Sequence, residues 1–372
     1  MKILFWISAV FIAYTYAGYP FLLWLIARFR TRPILRKRIT PTVSIIMAAH
    51  NEERTLPSKL ENLRTLDYPL NLVQVIVVSD GSNDGTSDIL RAQSNFLEPV
   101  ILDQSCGKAA ALNEAVKRAT GEILVFMDAR QSIDVNALSE LTACFWDWEV
   151  GAVSGELILD GDSNSSTRGL GTYWNIEKMV RRLESASGST VGTTGAIYAI
   201  RRSLYEQIPS GTILDDVVIP MNVVRQGRRV VFQPSATARD RLFTDKGREF
   251  SRKVRTITGN YQLLWLAPWL ISASNPILLR FISHKLLRLL CPSLLIVILI
   301  ASGMAGGPVY RVVFATQVVF YCLAACGGLL PLTRRTRLFA ITSAFMMLNA
   351  AAALALYNVI TGRNIVWRQG MN

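Results

Sequence analysis

Two carboxylates stand side by side at Asp215 and Asp216, directly after the apolar pair Ile213-Leu214. Neighbouring carboxylates in a cleft repel each other, so that the pKa of one of them rises. A carboxylate with a raised pKa is suited to act as a general base towards a hydroxyl group. The alternative is that both acids simply cap the N-terminus of a helix.

Two further acids follow long apolar runs. Asp80 comes after Leu72–Val78, and Asp128 comes directly after Ile123–Met127. At the tip of a buried strand, Asp80 can accept a hydrogen bond from a nucleobase N–H, and Asp128 can bind a hard divalent cation. Turn and capping chemistry explains each acid about equally well when it is considered alone.

Small and polar residues stand near these acids in the chain. Ala49 ends the first apolar run, where a small side chain lets a flat base approach the backbone, and Asn51 and Glu52 offer groups that bind a base or a ribose. Lys108 follows a glycine at the start of a predicted helix, where its ammonium can meet phosphate oxygens. Helix capping and ordinary exposure are the alternatives for these residues.

The second half of the polar region contributes one loop and two arginines. The loop Gly192-Thr193-Thr194-Gly195 consists of small residues and suits the approach of a sugar, although an ordinary turn explains it as well. Arg252 and Arg255 precede a hydrophobic region. They suit either a substrate contact or the cytoplasmic side of a membrane segment.

The elements that must position these residues alternate between two patterns. Nearly continuous apolar runs predict buried parallel strands at Val43–Ala48, Leu72–Val78 and Ile123–Met127. Amphipathic patterns predict helices at Glu53–Leu66, Thr86–Phe96 and Val135–Phe145. This alternation predicts an α/β fold with a doubly wound parallel sheet, which binds its ligand at the carboxyl ends of the strands.

The composition predicts membrane segments around this region. Of the 372 residues, 51% are hydrophobic, and the formal net charge is +13. Stretches without charged residues reach the roughly 20 residues that cross a bilayer at Ile3–Ala27, Leu289–Tyr310, Val312–Thr333 and Leu338–Thr361. The basic residues flank these stretches and do not form one face interleaved with aromatic residues, which favours a lipid bilayer and excludes nucleic acid as the partner.

Basic residues also predict the orientation. Six of them lie between Arg28 and Arg38 with no acid among them, which places the following region in the cytoplasm of a multi-pass inner (plasma) membrane protein. Lys285 and Arg288 mark the cytoplasmic start of the second span. The cytoplasmic turn between the third and fourth spans is marked by Arg334, Arg335 and Arg337.

This scheme leaves the C-terminus outside, together with Arg363 and Arg368, unless the fourth segment is re-entrant. The predicted organisation is an anchor at 1–27, a cytoplasmic catalytic domain at 28–258, interfacial helices at 259–284 and three spans at 285–372. The interfacial assignment rests on Pro268 and Pro276, which interrupt an apolar, aromatic segment.

Taken in order, these residues resemble the family-2 glycosyltransferases, an inverting group with the A-type nucleotide-binding fold, over about residues 40–260. Asn51-Glu52 resembles the family's opening Asn-Glu, and Asp80 resembles its nucleotide-binding acid. The family's Gly-Lys-x-x-Ala-Leu-Asn run is matched by Gly107, Lys108, Ala111, Leu112 and Asn113. Asp215-Asp216 resembles the family's Glu-Asp pair, which implies that Asp216 is the catalytic base.

Two motifs depart from the family. Asp128-Ala129-Arg130 replaces the metal-binding Asp-x-Asp, and Arg255-Thr256 replaces the Arg-Trp of the Gln-x-x-Arg-Trp motif of processive synthases. The resemblance implies Mg²⁺ or Mn²⁺ as cofactor, held at Asp128, with Arg130 compensating part of the diphosphate charge. Arg255 would neutralise the departing diphosphate, while Arg252, Thr194 and Gly195 would face the acceptor.

The expected function is inverting transfer of one sugar from a nucleotide diphosphate sugar, with UDP favoured, to a membrane-associated glycolipid or polysaccharide acceptor. A processive polysaccharide synthase is the first alternative, since a homodimer or interfacial helices could supply a channel. Single transfer, with export left to another protein, is favoured because the spans contain no charged residues and Thr256 replaces the tryptophan. A non-catalytic scaffold with a degenerate nucleotide-sugar fold is the second alternative.

Overall fold

The computed structural model describes residues 1–160, 165–241, 246–329 and 336–362. The strands are β1 Val43–Ala49, β2 Val73–Asp80, β3 Glu98–Leu102, β4 Ile123–Met127, β5 Ser132–Ile133, β6 Val150–Asp160, β7 Ile197–Arg201 and β8 Arg229–Arg241. The described α-helices up to residue 266 are α1 Lys2–Ala13, α2 Tyr19–Phe29, α3 Leu56–Arg64, α4 Thr86–Ala92, α5 Lys108–Arg118, α6 Ala137–Ala143, α7 Ser165–Ala186, α8 Asp215–Arg225 and α9 Lys246–Leu266. They are followed by α10 Leu278–Phe281, α11 Leu287–Met304, α12 Pro308–Leu329 and α13 Arg337–Ile360.

The eight described strands form one sheet in the order β3-β2-β1-β4-β7-β6-β8-β5. The first four of these strands run parallel, with Val43 beside Val73 and Ile123. Beyond β4 the sheet is mixed, since β7 is antiparallel to both β4 and β6, whereas β6 and β8 are parallel. The predicted α/β fold is therefore confirmed, but only the half of the sheet that contains β1 to β4 is parallel throughout.

Helices cover both faces of the sheet because neighbouring residues of a strand point to opposite sides. From β1, Ile45 and Met47 pack into a core with Leu56 and Leu60 of α3. Ile46 and Ala48 pack into a second core, which includes Ala109 and Leu112 of α5. Both faces of β1 are thus buried, as its continuous apolar run predicts.

The boundaries of the predicted helices are too generous. α3, α4 and α6 are each shorter than the amphipathic patterns that predict them, and the segment after α4 contains the strand β3, which the pattern does not predict. β3 begins with Glu98-Pro99 and is only half-buried over most of its length. Such a strand lacks the continuous apolar run by which the other parallel strands are identified.

Four helical segments are long and apolar enough to cross a membrane, which confirms the prediction of membrane spans. They are Lys2–Phe29, Leu278–Met304, Pro308–Gly327 and Ile341–Ile360. The predicted turn residues Arg334 and Arg335, and the terminal Arg363 and Arg368, lie outside the described residues.

The segment predicted as a pair of interfacial helices is organised differently. α9 runs without interruption across the predicted boundary at 258/259 as far as Leu266. A short 3₁₀ turn at Pro268–Ile271 follows, and the second candidate span already begins at Leu278. One long helix and one turn therefore precede the second span. Pro268 has no backbone N–H to donate, so the helix does not continue beyond Ala267.

The fourth candidate span also departs from the alternating scheme. Ala351 and Ala355, in the C-terminal half of α13, pack against Val254 of α9. Small side chains at these positions let the two helices approach closely. The C-terminal half of α13 therefore packs along α9. The side of the membrane on which the fourth span ends, and the re-entrant alternative, stay predictions.

A buried polar network joins the membrane helices to the catalytic domain. Glu184 of α7 accepts hydrogen bonds from the Tyr19 hydroxyl (2.5 Å) and from the backbone N–H of Val191 (3.3 Å), and it lies 2.8 Å from Nδ1 of His284. The other ring nitrogen of His284 lies 2.9 Å from Glu177. One carboxylate, that of Glu184, thus links the first span, the second span and the loop after α7.

Replacement of Glu184 by alanine should lower stability strongly, because it leaves the Tyr19 hydroxyl, the Val191 N–H and His284 without their shared acceptor. Breaking a buried ion pair from one side costs about 3–5 kcal/mol. Thermal unfolding of the detergent-purified protein measures the loss. The matched control is Glu114→Ala, since Glu114 pairs with Lys117 on the exposed face of α5. Equal unfolding temperatures for the two variants would contradict the structural role of Glu184.

Candidate active site

The loop after β1 is held to the loop after β2 by Asn51. Its side-chain oxygen accepts a hydrogen bond from the backbone N–H of Asn83 (2.8 Å), and its own N–H donates to Ser82 (3.2 Å). Asn51 has φ +56°, a left-handed conformation that asparagine tolerates better than most residues. Ala49 lies fully buried just before it, at the end of β1. Ala49 and Asn51 therefore shape the edge of the site at the carboxyl ends of the strands.

Glu52 forms hydrogen bonds at the same edge of the site. Its N–H donates to the hydroxyl of Thr86 (2.8 Å), and its carboxylate accepts a short hydrogen bond from the hydroxyl of Thr55. Burial raises the pKa of Glu52, and the negative charge of Asp128 acts in the same direction. Glu52 and Asp128 follow different strands of the sheet, β1 and β4, which are neighbours in it.

Asp80 lies beneath the site, and its side chain is fully buried. One carboxylate oxygen accepts from the backbone N–H of Cys106 (2.7 Å), and the other accepts from the N–H of Gly107 (2.9 Å) and the hydroxyl of Ser105 (2.9 Å). These hydrogen bonds fix the loop that leads into α5 and thereby the position of Lys108. The predicted hydrogen bond between Asp80 and a nucleobase stays a prediction.

Lys108, the first residue of α5, lies between two carboxylates. Its Nζ is 2.9 Å from Oδ1 of Asp128 and 3.3 Å from Oδ1 of Asp215. Burial by itself would lower the pKa of Lys108, but Asp128 and Asp215 outweigh this effect and raise it above its usual range. Lys108 is therefore a permanent cation that ties the end of β4 to the start of α8.

The two adjacent acids at the start of α8 have different surroundings. Asp215 is 3% exposed, and its Oδ2 has no hydrogen-bond partner within the part of the chain that the structure describes. Burial, followed by the charge of Asp215, raises the pKa of Asp216 to about 6, although Lys108 lowers it. Asp215 is thus paired with Lys108, whereas Asp216 has the raised pKa that suits a general base.

The loop Gly192–Gly195 packs directly on Asp216. The N–H and hydroxyl of Thr193 both donate to the backbone oxygen of Asp216, at 2.8 and 3.0 Å. A Cβ at Gly195 would lie 3.4 Å from Oδ2 of Asp216, and the N–H of Thr194 donates to Ser154 (3.0 Å). The predicted acceptor residues Thr194 and Gly195 are therefore brought beside the predicted base.

The two predicted arginines of α9 differ in position. Burial lowers the pKa of Arg255, which interacts electrostatically with Asp215, Asp128 and Asp216. Arg252 is instead paired with Glu249 one turn earlier on the same helix, at 3.0 Å. Arg255 thus joins the acidic site, whereas the strongest contact of Arg252 lies along its own helix.

Arg130 is bound to β8. Its guanidinium lies 2.6 Å from Asp240, which also accepts a hydrogen bond from the side chain of Gln131 (3.2 Å). The arginine that replaces the second acid of Asp-x-Asp therefore has a carboxylate partner of its own. The predicted contact of Arg130 with a diphosphate requires that it share or exchange this partner.

The donor set for a metal ion consists mainly of Asp128. Among the described residues, no group of three histidine, cysteine, aspartate or glutamate side chains is arranged to hold a metal. The side chain of Asp128 is 36% exposed even though it pairs with Lys108. Mg²⁺ commonly binds through one or two carboxylates together with waters and substrate phosphates, so a single accessible carboxylate fits such an ion in the presence of a diphosphate.

Two buried groups at the site have no counterpart in the sequence predictions. Lys59 of α3 donates to the backbone oxygen of Gln131 (2.8 Å), and burial lowers its pKa to about 7. Tyr198 stacks on Phe126 at 4.8 Å, and its hydroxyl has no hydrogen-bond partner among the described residues. Lys59 could have been identified from the sequence, because it lies on the apolar face of α3 beside Leu60.

Sequence and structure comparisons identify the family of this region and its fold. Residues 44–209 match the family described as Glycosyl transferase family 2. A probable glycosyltransferase, YdaM, of Bacillus subtilis (strain 168) is 28% identical over 53% of this chain and 50% of its own length. Poly-beta-1,6-N-acetyl-D-glucosamine synthase of Staphylococcus aureus (strain COL) is 24% identical over 60% of this chain and 55% of its own. The chain thus matches about half the length of these curated relatives.

Among solved structures, the mannosyltransferase PcManGT of Pyrobaculum calidifontis, in complex with GDP-Man and Mn²⁺, is similar with a TM-score of 0.74 and 23% identity. The match covers 97% of this chain and 100% of that protein. It shows a shared fold over nearly the whole chain, including the helices outside the family-2 region.

The class is defined for one region of the chain: residues 44–209 belong to a glycosyl transferase family 2 domain. The fold is similar to that of a solved A-type glycosyltransferase, and candidate membrane helices stand on both sides of the domain.

Asp80→Asn tests the role of the buried carboxylate beneath the site. An amide keeps one acceptor oxygen but turns an NH₂ group towards backbone donors, so at least one of the N–H groups of Cys106 and Gly107 loses its acceptor. An unsatisfied buried donor costs about 1–3 kcal/mol. We expect a lower unfolding temperature and weaker nucleotide binding by titration calorimetry, whereas the control Asp88→Asn, in an exposed pair on α4, should change neither. Unaltered stability of Asp80→Asn would show that these hydrogen bonds are dispensable.

Proposed function

We propose that this glycosyltransferase transfers a single sugar from a nucleotide diphosphate sugar, with UDP as the favoured nucleotide, to a membrane-associated glycolipid or polysaccharide acceptor, with inversion. The observation that carries the proposal is the pairing of Lys108 with Asp128 and Asp215 beside Asp216. This arrangement places the ammonium of Lys108, which can bind a diphosphate, in the same site as Asp216, a base of raised pKa. The active site faces the cytoplasm in this proposal, since the basic residues after the first span favour that side.

In the proposed reaction, the acceptor hydroxyl attacks the anomeric carbon from the face opposite the diphosphate. Its proton passes to the carboxylate of Asp216 as the new carbon–oxygen bond forms. The bond from the anomeric carbon to the β-phosphate oxygen breaks, and the electron pair leaves with the nucleoside diphosphate. Lys108 and Arg255 offset the negative charge that develops on the departing group.

Asp216→Asn should abolish most transfer while nucleotide binding persists, because general base catalysis contributes about 10²–10⁴-fold. The assay combines nanodisc-reconstituted enzyme, a panel of radiolabelled nucleotide sugars and a membrane lipid extract, and it measures label in the lipid phase. Since Asp216 acts as a base only when deprotonated and its pKa is about 6, wild-type activity should rise as the pH increases through 6. Near-normal transfer by the variant, or a flat profile across this range, would exclude Asp216 as the base.

The size of the product in the same assay separates single transfer from the processive alternative. A single labelled species supports single transfer, and a ladder or a high-molecular-weight product supports a synthase. The absence of any transfer or nucleotide-sugar hydrolysis with every donor would favour the scaffold alternative. The poly-beta-1,6-N-acetyl-D-glucosamine synthases among the relatives give the processive alternative its best support.

A divalent cation, Mg²⁺ or Mn²⁺, is proposed at Asp128, where it would supply charge compensation for the bound diphosphate. Excess chelator should therefore reduce transfer, and either ion should restore it. Asp128→Asn should weaken this restoration, while the control Asp134→Asn, in the loop after β5, should respond like the wild type. Full activity in excess chelator would show that Lys108, Arg255 and Arg130 suffice for the diphosphate charge.

A further inference from the structure

Basic residues gather where the second candidate span joins the catalytic domain. Within this cluster, Glu177 of α7 is shared by Arg288 at 2.7 Å and by Arg181 at 3.5 Å, besides its contact with His284. Lys285 follows His284 directly. Arg181 and Arg288 therefore share the carboxylate of Glu177, and Lys285 adds a third cation to the cluster.

Lys285 has no ion-pair partner within 4.0 Å among the residues that the structure describes. It is half-buried on the turn that begins the second span, where the charges of Glu177, Arg181 and Asp216 act on it electrostatically. A half-buried ammonium without an ion-pair partner is costly. An anionic ligand would remove this cost.

The cluster is connected to the base through the loop after α7. Arg280 donates to the backbone oxygen of Ser189 in this loop, and Thr193 of the same loop donates to the backbone oxygen of Asp216. Lys285 and Arg181 act electrostatically on Asp216, as Lys108 does. Lys285 belongs to the candidate span Leu278–Met304, whereas Lys108 begins α5. Two sets of cations thus flank Asp216, one suited to the donor diphosphate and one still unassigned.

The frame that carries the second set is rigid. Arg280, one turn before Lys285, donates to the backbone oxygens of Glu184 (2.7 Å), Ser189 (2.9 Å) and Ser187 (2.8 Å). These bonds fix the start of the span to the loop that leads into Gly192–Gly195. A ligand held at Lys285 is therefore held at a set distance from Asp216.

We propose that Lys285 and Arg181 bind a phosphate group on the lipid-linked acceptor, so that the acceptor hydroxyl reaches Asp216. This inference rests on the proposed function and specifies its acceptor as a phosphate-bearing lipid. Phosphate fits better than an uncharged glycolipid because several cations with too few carboxylates suit a dianion. The location at the end of a span is the depth at which lipid headgroups lie.

Direct binding tests the site without any donor or transfer. The protein is placed in phosphatidylcholine nanodiscs, and retention of radiolabelled hexadecyl phosphate is compared with that of hexadecanol. We expect the wild type to prefer hexadecyl phosphate and Lys285→Met to bind it about ten- to a hundredfold more weakly, the range of one charge-assisted hydrogen bond. Lys285→Arg keeps the charge and should retain most binding. The control Lys117→Met, on the exposed face of α5, should bind like the wild type.

Unchanged binding by Lys285→Met, or equal loss in Lys285→Arg with normal thermal unfolding, overturns the proposal. Nanodiscs that contain phosphatidylglycerol separate two sources of phosphate. If phosphatidylglycerol displaces hexadecyl phosphate at equal concentration, the cluster serves bulk anionic lipid and the acceptor assignment is wrong. Because the assay involves no catalysis, loss of transfer in Asp216→Asn and loss of lipid phosphate in Lys285→Met report on the two proposals separately.

Discussion

The ammonium of Lys108 between Asp128 and Asp215 is the interaction on which the rest of the site depends. It connects the parallel half of the sheet, through β4, to α8 beyond the antiparallel β7. Without this cation, the carboxylates of Asp128 and Asp215 would face each other with no opposite charge between them. Next to this ion pair, burial and the negative charge of Asp215 raise the pKa of Asp216.

The position of Lys108 in turn depends on Asp80. Asp80 holds the backbone N–H groups of Cys106 and Gly107, so the start of α5 cannot shift without loss of buried hydrogen bonds. Arg255 reaches the same acids from the membrane side, on a helix that packs against α13. The catalytic centre is thus built between a rigid sheet and a layer of membrane-facing helices, and both layers contribute charge to it.

Local patterns predicted much of the fold. β1, β2 and β4 were identifiable because continuous apolar runs of strand length are buried on both faces, and the membrane segments because their length and lack of charge have no other common explanation. β3 was missed because Glu98-Pro99 breaks such a pattern, and the mixed half of the sheet because strand direction depends on connections that hydrophobic periodicity does not encode. The packing of α13 against α9 was not predicted for a related reason, since the count of charges carries no information on helix packing.

The sequence by itself determined which residue types stand at strand ends and helix starts: Asp80, Asp128, Lys108 and the pair Asp215-Asp216. Only the tertiary structure decided their partners, because hydrogen bonds and ion pairs form between segments far apart in the chain. It buried Asp80 under a loop, paired Arg130 with Asp240 and left Lys285 without an ion-pair partner among the described residues. Electrostatic interactions depend on the distance between groups in space and not on their separation in the sequence. The partners of these residues could therefore be assigned only from the folded chain.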